Sequence, residues 1–233
     1  MNAAYDARVL VVAKAPVPGR VKTRLGATLG MADAARLAAA ALLDTVVAAT
    51  AAVGADRCVL ALDGDLSTAV DGAALTDAVR GWTVVPQRGD GLAERLVAAH
   101  ADADAGPGPV VQVGMDTPQV TAALLLEVAA GLDRASAVLG AAADGGWWVL
   151  ALRDPGRAEL LRGVPMSTPE TGAATLSALV AAGLTVGATA TLRDVDHHDD
   201  AAAVAASAPG SAFARAWAEV SGLHVGPGER EQG

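Results

Sequence analysis

The hydrophobic residues of the chain form short apolar runs that alternate with longer segments of helical spacing. A short run of Val, Leu and Ala that ends at Gly, Pro or Asp predicts a buried strand of a parallel sheet. Runs of this kind occupy residues 8–13, 57–62, 82–85, 109–113, 136–140, 147–152 and 184–190. Helices are predicted at 31–53, 91–104 and 121–132, after residue 167, and once or twice within 201–220. This alternation predicts an α/β fold with a mainly parallel sheet.

Two segments carry clear helix signals. Met31–Val53 is rich in Ala and places Leu42 and Val46 four residues apart, which is the spacing of one helix face. The motif Ser167-Thr-Pro-Glu170 combines a hydroxyl cap, a Pro in the first turn and a Glu three positions after the Ser. We therefore expect a helix to begin at this motif, with Ser167 as its cap.

Length and composition bound the class of protein. With 233 residues, the chain is expected to form one domain over 1–225, followed by a disordered tail over 226–233. A content of 52% hydrophobic and 18% charged residues excludes a mainly disordered or fibrous chain. The single cysteine, Cys58, excludes an internal disulfide framework and a multi-cysteine metal site. No basic and apolar leader opens the sequence, and Asp44 and Glu127 interrupt its most apolar segments, so we expect a soluble cytoplasmic protein.

The distribution of charge favours a small anionic ligand. A net charge of −9 opposes binding to nucleic acids or anionic membranes, so neither is expected as a partner. Against this background, Lys14, Arg20, Lys22 and Arg24 lie within eleven residues that contain no acid. Such a cluster can bind an anion, although a solvated loop is the alternative.

Charged residues also follow several predicted strands. In parallel sheets, ligands bind beyond the carboxyl ends of the strands. The cationic segment follows the first strand, and the carboxylates Asp116, Asp144, Asp194 and Asp196 follow later ones. Cations and carboxylates at one edge of a sheet are what a nucleotide polyphosphate with a divalent ion requires.

The cationic segment is not a known nucleotide-binding loop. Gly19 gives the backbone freedom to approach phosphate oxygens, and the four cations can pair with them. A Walker loop needs Gly directly before its Lys-Thr pair, whereas Val21 precedes Lys22-Thr23 here, which argues against a P-loop kinase. No G-x-G-x-x-G dinucleotide fingerprint occurs either.

The carboxylates each have a structural alternative. Asp116 can hold Mg²⁺ together with phosphate oxygens, or it can occupy a turn before Pro118. Asp144-Gly145-Gly146 can approach a ligand, or it can be a hairpin turn. The following Trp147 and Trp148 point to opposite faces of a strand, so at least one belongs to the core and the other can line an acceptor pocket.

The late acidic segment offers a second metal carboxylate from Asp194 or Asp196. Adjacent His197 and His198 point in opposite directions on an extended chain, which argues against a two-histidine metal site. Asp196 and Asp199 also suit the first turn of the next helix. No Ser-His-Asp set can be assembled, because G-x-S-x-G is absent and the remaining histidines, His100 and His224, lie in a predicted helix and near the tail.

Six motifs, read in order, resemble a known family. They are Ala13-Lys-Ala-Pro-Val-Pro-Gly-Arg-Val-Lys-Thr-Arg-Leu25, Gln87-Arg-Gly-Asp-Gly-Leu-Ala-Glu-Arg-Leu96, Gly114-Met-Asp-Thr-Pro118, Ala143-Asp-Gly-Gly-Trp-Trp148, Ser167-Thr-Pro169 and Asp194-Val-Asp196. Together they resemble the uncharacterised bacterial glycosyltransferase-like proteins of the GT-A nucleotide-diphospho-sugar transferase superfamily. These proteins are related to 2-phospho-lactate guanylyltransferase and molybdenum-cofactor guanylyltransferase. The resemblance covers residues 8–205.

The resemblance implies a three-layer α/β/α sandwich with a nucleotide over the carboxyl edge of the sheet. By similarity, Lys14, Lys22 and Arg24 would hold phosphates, with Gly19 and Arg20 beside them. Asp116 would be the principal ligand of Mg²⁺ or Mn²⁺. The segment from Gln87 through Asp90 to Glu94 would lie beside the nucleotide. Asp144, Gly145 and Gly146 would lie near the acceptor, with Trp147 and Trp148. The catalytic residues would be Asp116, Asp144 and Lys22.

The chain departs from the family pattern at two positions. Trp stands where Tyr or Phe is commoner after the Asp-Gly-Gly turn, and His197-His198 stand where Thr-Pro is usual after Asp196. The second departure leaves open whether Asp194 or Asp196 supplies the second metal ligand.

Three functions remain open at this stage. The first is a Mg²⁺-dependent transferase that moves a group from a nucleotide-diphospho-sugar to a small-molecule acceptor. The second is a guanylyltransferase-like nucleotidyltransferase that uses a nucleoside triphosphate and releases pyrophosphate. Four cations suit a triphosphate, whereas the customary description of the family favours glycosyl transfer. The third is a nucleotide-binding regulatory module without turnover.

Overall fold

A central sheet of seven strands organises the protein. The computed structural model describes residues 6–104, 106 and 108–222. The strands are β1 (Arg8–Lys14), β2 (Cys58–Asp63), β3 (Thr83–Pro86), β4 (Val110–Gly114), β5 (Ala137–Ala141), β6 (Trp147–Leu152) and β7 (Val186–Ala188). Each begins and ends within one residue of a run predicted from apolar patterning, except that β7 is two residues shorter at each end.

The strand order is β3-β2-β1-β4-β6-β5-β7. The pairs β1–β2, β1–β4, β2–β3 and β5–β7 are parallel, whereas β6 runs antiparallel to both β4 and β5. In the register, Lys14 lies opposite Asp63 and Val12 lies opposite Gly114. The carboxyl ends of β1, β2 and β4 therefore meet at one edge, as a mainly parallel sheet requires.

Helices connect and cover the strands. They are α1 (Thr23–Leu29), α2 (Met31–Val53), α3 (Gly72–Ala78), α4 (Leu92–Ala103), α5 (Ala122–Gly131), α6 (Thr171–Ala181), α7 (His198–Ser207) and α8 (Ala212–Val220). Short 3₁₀ segments lie at Ala55–Arg57, Leu66–Thr68 and Pro155–Gly163.

The two faces of the sheet pack against different helices because side chains alternate along each strand. On one face, Val9, Val11 and Val113 form a core with residues of α2 and α5. On the other face, Leu150 and Leu152 pack with residues of α4, α6 and the Pro155–Gly163 segment. The result is the three-layer α/β/α sandwich that the family resemblance implies.

Helix α2 is long and apolar enough to cross a membrane by length and composition. In the fold it lies within one layer of the sandwich, where residues such as Leu42 and Val46 are buried. Its carboxylate, Asp44, accepts 2.8 Å hydrogen bonds from the backbone N–H groups of Ala212 and Phe213, which caps α8. The apolar character of α2 is therefore accounted for by packing inside the sandwich.

Three expectations about local structure need comment. The helix predicted to begin with Ser167 as its cap starts later, at Thr171. The assignment of Ser167 as the helix cap is therefore wrong. Ser167 instead has a left-handed φ of 60°, and the Thr168 N–H donates to the Thr171 hydroxyl, which forms a turn ahead of the helix. Helix α1 was not predicted, because its seven residues are too few to show a helical period. The tail predicted at 226–233 lies outside the described residues.

Candidate functional site

A cavity of about 680 Å³ opens where the carboxyl ends of β1 and β4 meet the loops that follow them. Its wall includes the predicted residues Lys14, Arg20, Lys22, Arg24, Gln87, Asp116, Asp144, Gly146, Trp147 and Asp196. Most of the site residues expected from the sequence therefore meet around one space. Gly19, Asp90, Glu94, Gly145, Trp148 and Asp194 do not contribute to this wall.

Lys22 is the centre of the charge network in this cavity. Its ammonium nitrogen lies 2.8 Å from Asp116 Oδ1 and 3.0 Å from Asp196 Oδ1. The Lys22 side chain is only 8% exposed. Burial by itself would lower the pKa of this ammonium, but the adjacent carboxylates of Asp116 and Asp196 outweigh it and raise the pKa above its ordinary 10.5. Lys22 is therefore a buried, permanently charged cation.

Backbone geometry brings these distant residues together. Lys22 has a left-handed φ of 47° directly before α1, and its side chain lines the cavity at the sheet edge. Asp116 follows the end of β4 by two residues. The backbone N–H of Val195 donates to the Asp116 carbonyl at 3.0 Å, which holds the 194–196 segment against the β4 loop. Arg24 adds a second cation, with its Nη1 3.2 Å from Asp196 Oδ2.

Asp194 stands apart from this network. Burial, followed by the negative charges of Asp144 and Asp196, raises the pKa of its carboxyl from 3.8 to about 6. Among the described residues, no group of three or more His, Cys, Asp or Glu side chains is placed to hold a metal ion. The expected set of Asp116, Asp194 and Asp196 is thus not assembled as one cluster. The Lys22 ammonium lies between Asp116 and Asp196.

The chemistry of the remaining pair still suits a divalent cation. Oxygens of Asp116 and Asp196 converge on one positive group. Mg²⁺ is commonly held by one or two carboxylates, with phosphate oxygens and waters completing its shell. The two carboxylates fit that donor set.

Gln87 is held by the ends of two strands. Its amide nitrogen donates to the carbonyls of Ala13 at 2.8 Å and Ala61 at 3.0 Å. The nucleotide-binding role predicted for Gln87 can therefore use only the amide oxygen. Farther along the loop, the Glu94 carboxylate accepts the Asp90 backbone N–H at 2.8 Å, so Glu94 orders the loop from outside the cavity.

The Asp144-Gly145-Gly146 segment is the turn between β5 and β6, and Asp144 Oδ1 accepts the Gly146 N–H at 2.8 Å. Gly145 has φ 92°, and a Cβ there would lie 2.1 Å from the Pro169 carbonyl oxygen. The Gly172 N–H donates to the Gly145 carbonyl at 2.9 Å. The turn is thereby docked onto the loop ahead of α6.

The two tryptophans separate as the strand period requires. Trp147 lines the cavity, and its indole N–H donates to the Thr175 hydroxyl at 3.1 Å. Trp148 is 3% exposed and donates to the Ala190 carbonyl at 2.8 Å. Placing Trp148 in the acceptor pocket was therefore wrong, because its strand position turns it into the core.

The cavity wall also contains residues to which the sequence analysis assigned no role in the site. They include Gln112, Arg95, Met166, Ser167, Thr168 and Thr171. Gln112 could have been found from the sequence, since a polar residue inside an otherwise apolar strand run indicates a functional or structural role. Arg95 forms an ion pair with Asp63 at 3.0 Å, which links α4 to the end of β2.

This fold and site define a class of protein. A three-layer sandwich with a charged cavity at the carboxyl edge of its sheet has the architecture of the nucleotide-diphospho-sugar transferases. Within that class, residues 35–168 match the model of the bacterial family DUF2064, described as "Uncharacterized protein conserved in bacteria". Because the match spans more than half of the chain, the chain belongs to this family. No curated protein matches the sequence.

Solved structures agree with this assignment. A "putative nucleotide-diphospho-sugar transferase" from Desulfovibrio desulfuricans G20 is 27% identical, with a TM-score of 0.78 over 93% of this chain and 94% of the other. A cytidylyltransferase from Leptospira borgpetersenii shares the fold at 11% identity and a TM-score of 0.56, over 94% of this chain and 93% of the other. Rv0371c from Mycobacterium tuberculosis shares the fold at 21% identity and a TM-score of 0.52, over 86% of this chain and 98% of the other. The expected family and fold are confirmed, and an enzyme of the transferase class is supported.

Proposed function

We propose that the chain is a Mg²⁺-dependent, single-domain transferase that uses a nucleotide-diphospho-sugar as donor. The observation that carries this proposal is the charge network in the cavity, where Asp116 and Asp196 converge on Lys22 at 2.8 and 3.0 Å. The similarity to the Desulfovibrio protein supports the donor class.

The cations of the cavity are suited to the phosphates of such a donor. Lys14, Arg20, Lys22 and Arg24 all line it. Each hydrogen bond between an ammonium or guanidinium group and a phosphate contributes about 1.5–3 kcal/mol net. Lys22 and its neighbours would bind the diphosphate and stabilise the negative charge that develops on it as the bond to the sugar breaks.

Asp116 and Asp196 would hold the divalent ion, Mg²⁺ or Mn²⁺, with Asp194 as the adjacent carboxylate. When bound, the ion would supply further neutralisation of the leaving phosphates. Since the Lys22 ammonium contacts both carboxylates, it would have to give up part of that contact to the ion and pair with phosphate oxygens instead.

Another part of the cavity wall would take the acceptor. Asp144, Gly146 and Trp147 line it, and the docked turn keeps them in place. The Asp144 carboxylate can accept the proton of an acceptor hydroxyl, while Trp147 offers an apolar surface. The acceptor is therefore proposed to be a small molecule. Nucleic acids and membranes are not proposed as partners, because the chain carries a net charge of −9. A cytoplasmic location is part of the same proposal.

Nucleotidyl transfer is the second candidate. Four cations around one cavity match the charge of a triphosphate, and an acceptor oxygen would then attack the α-phosphorus and displace pyrophosphate. The two reactions differ in their released product. Nucleoside diphosphate marks sugar transfer, and pyrophosphate marks nucleotidyl transfer.

A thermal-shift panel of nucleoside triphosphates and nucleotide sugars, with and without Mg²⁺, tests the proposal. A ligand at about 100 times its dissociation constant should add about 2.7 kcal/mol to the free energy of unfolding. Asp116→Asn should abolish the Mg²⁺-dependent part of the shift. Asp71→Asn, at an exposed carboxylate outside the cavity, is the matched control and should retain it.

Assays for nucleoside diphosphate and pyrophosphate follow with the ligands that bind. Turnover that is lost in Asp116→Asn supports an enzyme. Metal-dependent binding without either product would favour the regulatory module, and an absence of nucleotide binding would contradict the proposal altogether.

A further inference from the structure

Gln112 is a polar side chain in an apolar part of the cavity. It lies in β4 and is only 2% exposed, yet it contributes to the cavity wall. Its register partners are Leu10 and Leu150, so all three project from the same face of the sheet, toward α4. Gln112 precedes the end of β4 by two residues, which places it about 7 Å below the charged edge.

His100 lies directly behind this glutamine. It is fully buried in α4, and its Nε2 lies 3.0 Å from Gln112 Oε1. Burial lowers the pKa of His100 to about 4, so the imidazole is neutral at pH 7 and carries one N–H. The other ring nitrogen, Nδ1, is buried without a hydrogen-bond partner among the described residues.

The tautomer of His100 determines the direction of the amide. A proton on Nδ1 would be a buried hydrogen-bond donor without an acceptor. Proteins avoid a buried unpaired donor more strictly than a buried acceptor whose lone pair is unused. The proton therefore belongs on Nε2, where it is donated to Gln112 Oε1. The Gln112 NH₂ group then points away from His100, and no residue of the described part of the chain accepts its hydrogen bonds.

We propose that Gln112 is a specificity-determining residue whose NH₂ group donates a hydrogen bond to an uncharged oxygen of the bound ligand, with His100 as the positioning residue behind it. The oxygen is a hydroxyl or carbonyl, because Val12, Leu96, Trp147 and Met166 make this part of the wall mainly apolar. The inference rests on the proposed function, since it takes the cavity to be the substrate site.

The first test compares ligand affinities of the wild type and Gln112→Met, which keeps the side-chain length and removes the amide. The probes are UDP-glucose, GDP-mannose, UTP and GTP, each with Mg²⁺, measured by calorimetry. Thr45→Val is the matched control, because it removes a buried hydroxyl that bonds to the Ala41 carbonyl outside the cavity.

We expect Gln112→Met to weaken at least one ligand class about tenfold, while Thr45→Val binds as the wild type does. A loss confined to the nucleotide sugars assigns the oxygen to the sugar, and a loss shared with the triphosphates assigns it to the nucleoside. Unchanged affinities for every probe would overturn the role of Gln112 and leave the proposed function standing. If no probe binds the wild type, the proposed function fails and this inference fails with it.

A second measurement addresses the direction of the amide without any ligand. The ¹⁵N shifts of the His100 imidazole, assigned by comparison with His100→Leu, should show a neutral ring protonated at Nε2. Protonation at Nδ1 would turn the Gln112 oxygen toward the cavity and overturn the donor role. His100→Leu should also change the ratio of the dissociation constants of two probes, which a purely structural histidine would leave unchanged.

Discussion

Two regions of the molecule use aspartates in different ways. Between α2 and α8, the half-buried Asp44 accepts two backbone N–H groups at the start of α8, and both contacts are 2.8 Å. At the sheet edge, Asp116 and Asp196 instead share the ammonium of Lys22. A backbone donor cannot leave its place without unfolding the helix end, whereas a lysine side chain can exchange its partners. The first arrangement stabilises the fold, and the second can respond to a ligand.

The largest expected effect is that of Lys22→Met. The change leaves Asp116 and Asp196 without their shared cation and removes a phosphate partner. We expect nucleotide affinity to fall about 100-fold or more, because two or more charge-assisted hydrogen bonds are lost. Calorimetric titration with Mg²⁺ and the nucleotides that bind the wild type measures this. Lys22→Arg keeps the charge and should lose less nucleotide affinity. If Lys22→Met binds nucleotides as tightly as the wild type does, the Lys22 network does not respond to a ligand.

A second prediction concerns the stability of the interior at low pH. The folded protein holds the pKa of His100 at about 4, and the ordinary value is 6.5. Between these values His100 binds more protons in the unfolded chain than in the folded one, so its contribution to the free energy of unfolding falls as the pH drops from 6.5 toward 4. This contribution should fall by about 3 kcal/mol at the acid end, whereas the raised pKa of the Asp194 carboxyl, about 6, acts in the opposite direction over the same interval.

Urea unfolding at pH 7, 5.5 and 4.5 measures this dependence. His100→Leu lacks the titrating imidazole, so the free energy of unfolding of the wild type should fall relative to that of the variant by up to about 3 kcal/mol over this interval. An equally steep dependence in His100→Leu would show that other groups cause the loss.

Gly145→Ala should have an intermediate effect. Gly145 has φ 92°, and an added Cβ would meet the Pro169 carbonyl oxygen at 2.1 Å. We expect a loss of about 2 kcal/mol in the free energy of unfolding, together with weaker acceptor binding, because the turn must leave its docked position. Gly183→Ala is the matched control, since Gly183 has φ 79° and a Cβ added there would meet no described atom within 4 Å. Equal losses in both variants would show that only backbone conformation matters.

The smallest expected effect is that of Asp44→Ala. Removing the cap of α8 should reduce the free energy of unfolding by about 1 kcal/mol and leave nucleotide affinity unchanged. Urea unfolding and calorimetry on the same preparation check both parts. Weaker nucleotide binding in this variant would contradict the separation between the interior and the sheet edge.

Much of the fold could be predicted because its signals are local. The apolar run at Val110–Gly114 and the helical spacing in Met31–Val53 depend on residues close together in sequence, and both elements form as expected. The alternation of side chains along a strand likewise predicted that one of Trp147 and Trp148 belongs to the core. The prediction at Ser167 was wrong, because its motif resembles a helix cap but Thr168 and Thr171 form the turn there.

By itself, the sequence determined the α/β class, the approximate positions of the strands and the identity of most charged residues around the cavity. Only the tertiary structure decided that β6 is antiparallel to its neighbours and that Lys22 lies between the carboxylates of Asp116 and Asp196. The hydrogen bond between His100 and Gln112 was likewise visible only in the tertiary structure. The reason is physical. Strand and helix patterns arise from contacts between near neighbours, whereas the pairing of distant charges depends on how the whole sheet and its loops pack.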